Sequence, residues 1–165
     1  AVVIFRSLNK LRIRRFGEGV SKDVAAFPSE GEVWRGSGFR DKFRPFFDRI
    51  KGKKYRVPGY LASTTKREIA LKFASNADED HPSVLWNILF DGRGEINENY
   101  LVRHVSLIVN TLHPGEYEYL FAPYSAFKLV DIKWSSVSSK PHEICVRSAI
   151  DNCREEEDLP LVPWY

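Results

Sequence analysis

Two carboxylates one residue apart pose the chemical question. Glu116 and Glu118 flank Tyr117 in the stretch Pro114-Gly115-Glu116-Tyr117-Glu118-Tyr119-Leu120-Phe121. Pro-Gly marks a turn, and the alternation after it predicts a strand. Successive strand side chains point to opposite faces, so both glutamates are expected on one face and Tyr117 with Tyr119 on the other. About 7 Å apart, the two charges repel by about 0.6 kcal/mol in water and about 2.4 kcal/mol at an effective dielectric of about 20. A sheet gains nothing from this repulsion. The pair therefore belongs either on a solvated face or in a reaction. One carboxylate can stabilise positive charge growing on a sugar carbon while the other removes a proton. Adjacent same-face positions on one strand are an unusual way to flank a glycosidic bond, so hydrolysis of a glycan is not the natural reading.

Two earlier motifs add polar groups. Trp34-Arg35-Gly36-Ser37-Gly38 places an arginine before glycines, and a guanidinium fork beside close backbone N–H groups suits a phosphate. Alone it reads equally as a surface turn, and it is not the dinucleotide fingerprint, since position 41 is Asp. Tyr60-Leu61-Ala62-Ser63-Thr64-Thr65 sets hydroxyls where a strand meets a helix start. Thr65-Lys66-Arg67-Glu68 has the form of a capping box, which gives Thr65 a structural task and leaves Ser63 and Thr64 without one.

Composition bounds the alternatives. A chain of 165 residues is one domain by size, taken as 1–165, and can bury a core. A formal charge of +3 allows an anionic ligand without calling for nucleic acid. The basic clusters at 10–15 and 51–56 read as solvated surface. No apolar run reaches the length of a membrane span. The chain has no methionine, even at its start, and reads as a trimmed piece. Cys145 and Cys153 fit no metal motif, and thiols are slightly favoured over a disulfide. The histidines at 81, 104, 113 and 142 show no ligand spacing, so no metal is expected. No Walker-type loop is present.

The elements that must carry these residues run from helical to sheet-rich. Short helices are expected at 2–11 and 21–27, the second capped by Ser21. A strand over 32–35 is expected to stop at Gly36-Ser37-Gly38. Phe43, Phe46, Phe47 and Ile50 fall at helical spacing within 40–50. A helix over 66–74 would present Ile69, Ala70 and Phe73 to the core. Strands follow at 83–90, 103–109, 116–121, 127–134 and 142–150. This order predicts an α+β fold on an antiparallel or mixed sheet.

Taken in the order arginine, S-T-T, E-x-E, the three motifs resemble those of the mono-ADP-ribosyltransferases of the R-S-E class. The resemblance extends through Glu118-Tyr119-Leu120-Phe121-Ala122-Pro123-Tyr124-Ser125-Ala126-Phe127 and spans most of the chain from Trp34 to Ile150. Thr65 stands where the family usually has a second serine, and no histidine occupies the first motif, which disfavours the H-Y-E class. The resemblance implies an ADP-ribosyltransferase-like β-sandwich core with N-terminal helices and NAD as co-substrate. It implies that Arg35 contacts NAD phosphate or ribose, that the Gly36 backbone binds the nicotinamide amide, and that Ser63 orients Glu118 with Thr64 in support. Phe73 would stack near the nicotinamide, though a core position suits it equally. Glu118 would stabilise the oxocarbenium-like transition state, and Glu116 would deprotonate an arginine acceptor on a target protein met by 110–115. The rivals are an NAD glycohydrolase and a non-catalytic binding module of the same fold. No nucleic acid or membrane partner is implied, a monomer is the default, and a toxin or effector role is one open purpose.

Overall fold

A computed structural model describes residues 31–76, 78, 80–90, 113–149 and 155–163. The helices expected at 2–11 and 21–27, the strand at 103–109 and Cys153 lie outside them. Seven strands form one sheet in the order β2-β6-β7-β4-β1-β3-β5. They are β1 Glu32–Gly38, β2 Lys54–Val57, β3 Leu61–Thr64, β4 Ser83–Leu89, β5 Glu118–Phe121, β6 Ser125–Lys133 and β7 His142–Ser148. The pairings among these seven strands are antiparallel except β4 with β7. With two short α-helices among the described residues, this is the expected α+β class.

Helix α1, Arg44–Ile50, follows a 3-10 turn at Asp41–Phe43, so the predicted 40–50 helix is split. Pro45 sits in the first turn of α1, where a missing N–H costs nothing. Gly52, at φ +78°, follows it in the left-handed region that glycine alone enters freely. Phe47 and Ile50 are buried, and Phe47 packs edge-on against Trp86 and Tyr55. Around them Val33, Ile88, Phe121, Phe127, Leu129, Ile144 and Val146 complete one core. Roughly 2 kcal/mol for each fully buried large apolar side chain makes this cluster the main source of stability.

β1 does not stop at the glycines. It runs through Gly36 to Gly38, paired with β4 as Arg35↔Trp86 and Gly36↔Leu85. Helix α2, Arg67–Ala74, explains why a glycine stands inside the strand. A Cβ on Gly36 would lie 1.7 Å from the Ala70 carbonyl oxygen. The buried face of α2 is accordingly made of the small residues Ala70 and Ala74. Phe73, expected on that face, is 45% exposed.

The segment 155–163 covers the outer edge of β2. Arg56 bridges to Leu161 in parallel, and its buried guanidinium donates to the carbonyl oxygens of Tyr124, Glu155 and Glu156 at 2.8–2.9 Å. No helix among the described residues is long and apolar enough to cross a membrane.

Candidate functional site

The three motifs, far apart in sequence, become neighbours in the sheet. β1, β3 and β5 lie side by side, and their registers pair Trp34 with Thr64 and Thr64 with Glu118. One row across three strands therefore joins the arginine motif, the hydroxyl motif and the acidic motif.

Arg35 is half-buried and lines a cavity of about 500 Å³ together with Ser37, Arg40, Tyr55, Leu61 and Trp86. A cavity of this size lies within the range of small-molecule and cofactor sites. Arg35 donates from Nη1 to the Ala62 carbonyl oxygen at 2.7 Å, a charge-assisted bond that ties β1 to β3. Arg40, exposed at the rim, donates from Nε to His81 Nε2 at 3.3 Å. Pro163 of the C-terminal segment reaches the same wall. Arg40, Tyr55, Leu61 and Trp86 were not foreseen as lining, because strand alternation places a residue on a face without saying which faces meet.

Ser63 is buried and donates to the Tyr119 carbonyl oxygen at 2.7 Å, so its hydroxyl clamps β3 to β5. Thr64, also buried, donates to the Glu116 carbonyl oxygen at 2.6 Å and accepts from the Lys66 N–H at 3.1 Å. Lys66, not Thr65, is the N-cap of α2, and no side chain caps it. The capping-box expectation fails because the helix starts one residue later than the motif places it: the Thr65 N–H is bound to the Tyr117 carbonyl and the Lys66 N–H to the Thr64 hydroxyl.

The acidic pair departs from the strand expectation. Pro114–Glu116 is a 3-10 turn, Tyr117 has φ +49°, and β5 begins only at Glu118. Glu116 and Glu118 thus do not occupy alternate positions of one strand, and Tyr117 does not share a face with Tyr119. Tyr119 is buried with Phe121 in the core, whereas Tyr117 is 53% exposed. The Thr65 N–H donates to the Tyr117 carbonyl oxygen at 3.0 Å and holds the turn from the helix side.

Along β5, Tyr119 and Phe121 point inward, so Glu118 and Leu120 leave from the opposite face. Register puts Ser63 opposite Tyr119 on the core side, where Arg35 also faces the cavity, and Glu118 opposite Thr64 on the other side. Glu116 and Glu118 are half-buried, and among the described residues neither carboxylate makes a hydrogen bond or ion pair. Gly36 is inside β1 against α2, and Phe73 is on the solvent side of α2, away from the cavity wall.

No protein-family model matches the sequence. No curated protein matches it either. The fold, by contrast, is that of solved ADP-ribosyltransferases. ADP-ribosyltransferase HopU1 of Pseudomonas syringae pv. tomato DC3000 superposes with a TM-score of 0.54 at 18% identity, over 77% of this chain and 47% of its own. Vis of Vibrio splendidus, an ADP-ribosyltransferase solved with agmatine, gives 0.53 at 18% identity, over 84% of this chain and 59% of its own. Exoenzyme S of Pseudomonas aeruginosa, bound to carba-NAD, gives 0.52 at 10% identity, over 96% of this chain and 75% of its own. The chain spans about half to three-fifths of the length of the first two. At these identities the likeness is one of fold, and the chain carries the ADP-ribosyltransferase fold.

Proposed function

We propose that the protein is an NAD-dependent mono-ADP-ribosyltransferase whose acceptor is an arginine side chain of a target protein. The observation that carries this reading is the row Trp34, Thr64, Glu118, which sets three sequence-distant motifs side by side on three adjacent strands. Solved structures of the same fold include one with carba-NAD and one with agmatine, which carries a guanidinium like that of arginine.

In this reading the Arg35 guanidinium meets the NAD phosphates at the cavity. Ser63 keeps β3 and β5 in register through Tyr119, and Thr64 holds the turn that carries Glu116. As the bond between the ribose anomeric carbon and the nicotinamide nitrogen breaks, its electron pair leaves with nicotinamide and the sugar becomes cationic. In this reading Glu118, whose carboxylate makes no hydrogen bond or ion pair among the described residues, supplies the negative charge that meets that sugar. A fixed negative charge stabilises the transition state more than the ground state. A guanidine nitrogen then forms the new bond to the anomeric carbon, and its proton passes to Glu116. Protonated guanidinium is a poor nucleophile, which is why a base beside it is needed.

The test is incubation with labelled NAD and agmatine, with nicotinamide release and agmatine-linked product measured separately. Glu118→Gln should lower both by about 10²–10⁴-fold. Glu116→Gln should lower the agmatine product while nicotinamide release continues with water as acceptor. Parallel loss of both activities in both folded variants would refute separate roles for the two acids. Free ADP-ribose as sole product of the wild-type protein would instead identify an NAD glycohydrolase.

A further inference from the structure

Tyr117 is held in a conformation that a tyrosine rarely adopts. At φ +49° its Cβ crowds the backbone, and only neighbouring bonds keep it there. On one side the Thr64 hydroxyl grips the Glu116 carbonyl, and on the other the Thr65 N–H grips the carbonyl of Tyr117 itself. The result is a ring turned out of the core, while Tyr119, two residues on, is buried. That ring already holds a cation. Lys66 Nζ lies 5.2 Å from its centroid, within the distance at which an ammonium is drawn to an aromatic face.

We propose that Tyr117 is the acceptor-binding platform: an arginine guanidinium stacks on its exposed ring, displacing the Lys66 ammonium, and is thereby set beside Glu116. This rests on the arginine-transferase reading above and adds to it the residue that selects a planar cation. The chemistry favours the exchange. Lysine's ammonium is compact and strongly hydrated, whereas guanidinium is planar, more weakly hydrated and stacks on aromatic rings. Lys66 is tethered to the N-terminus of α2 and exposed, so it returns to water when displaced. Tyr117 adjoins Glu116 and Glu118 in the chain, so the proposed platform holds a guanidinium beside the residues assigned as base and acid. Tyr117 itself makes and breaks no bond. Its left-handed backbone has the further effect of keeping the ring outside, because a regular strand here would send it to the face opposite the glutamates.

The test is the partition of ADP-ribose between agmatine and water in a single reaction at fixed agmatine. This ratio does not depend on how much of the protein is folded. Leucine tolerates the left-handed region no better than tyrosine, so Tyr117→Leu removes the π face without relieving the backbone. Its ratio of agmatine-linked to free ADP-ribose should fall by about 3- to 30-fold, the range of an exposed to a partly desolvated cation–π contact. Tyr117→Phe keeps the face and should stay within about twofold of wild type. An unchanged ratio in Tyr117→Leu, with wild-type protein active on agmatine, overturns this proposal alone. Wild-type protein that forms no agmatine product at all overturns the arginine-transferase reading and this proposal with it.

Discussion

The Thr64 hydroxyl donates to the Glu116 carbonyl oxygen at 2.6 Å, a bond between residues 52 positions apart that fixes the turn carrying Glu116 to the end of β3. The same hydroxyl accepts from the Lys66 N–H, so one buried oxygen ties together the strand end, the start of α2 and the acidic turn. The site is thus built less on the acids' own strand than on their neighbour.

Thr64→Val tests that dependence. Valine matches threonine in shape but offers neither the donor nor the acceptor, so Glu116 O and Lys66 N–H each lose a partner. On the arginine-transferase reading proposed above, where Glu116 is the base, a displacement of about 1 Å can cost up to about 10²-fold, and loosening the turn should lower agmatine transfer relative to NAD hydrolysis by about tenfold. Thr64→Ser, which keeps the hydroxyl, should restore the ratio. Product partition read by chromatography decides it, and an unchanged ratio in Thr64→Val would show that Glu116 is held by other groups.

Gly36→Ala should be among the most damaging single-methyl additions in the protein. The new Cβ would meet the Ala70 carbonyl oxygen at 1.7 Å and the Ala74 nitrogen at 2.5 Å, both backbone atoms of α2. No rotamer relieves a clash with backbone, so α2 must move off the sheet. A loss of about 3 kcal/mol is expected, which lowers the melting temperature by roughly 6–12 °C for a chain of this size. Differential scanning calorimetry measures it. A shift below about 2 °C would mean that α2 is not seated on β1 as described.

Much of this arrangement was legible in the sequence, and the exceptions have a common cause. The helical spacing of Phe43, Phe46, Phe47 and Ile50 located α1, and most strands fell where alternation placed them. The misread positions are those where a distant partner overrules a local pattern. Glycines usually interrupt a strand, but Gly36 stays in β1 because α2 needs the space. The same close approach selects Ala70 and Ala74 as the contact face and leaves Phe73 outside. Glu116-Tyr117-Glu118 alternates like a strand, yet bonds from Thr64 and Thr65 hold a turn with a left-handed tyrosine. Arg56 sits in a basic cluster that reads as solvated, yet it is buried among carbonyl oxygens supplied by residues 68 to 100 positions away. None of these partners leaves a mark in its neighbour's local sequence.

The acid stability of the protein should carry the signature of His142. Its Nδ1 accepts from the Ser135 N–H at 2.9 Å, and its Nε2 lies 2.6 Å from an Arg44 guanidinium nitrogen. Both ring nitrogens therefore face donors. Burial lowers its pKa below the ordinary 6.5 and the Arg44 charge lowers it further, while Asp41, bonded to Arg44, pulls weakly the other way. A depressed pKa means that the folded state binds fewer protons than the unfolded chain below pH 6.5, so stability contributed by neutral His142 is present above that value. It declines as pH falls below it and is fully lost once pH passes the folded-state pKa. Asp78 and Asp131, whose carboxyls are also shifted, titrate below 3.8 and stay outside this window. His142→Asn keeps an acceptor for Ser135 but cannot titrate. It should cost about 1–3 kcal/mol at neutral pH through lost packing against Trp134. It should also flatten the fall in urea-unfolding stability between about pH 7.5 and about pH 5.5. Equal slopes in wild type and variant would show that His142 protonates in the fold as freely as in water.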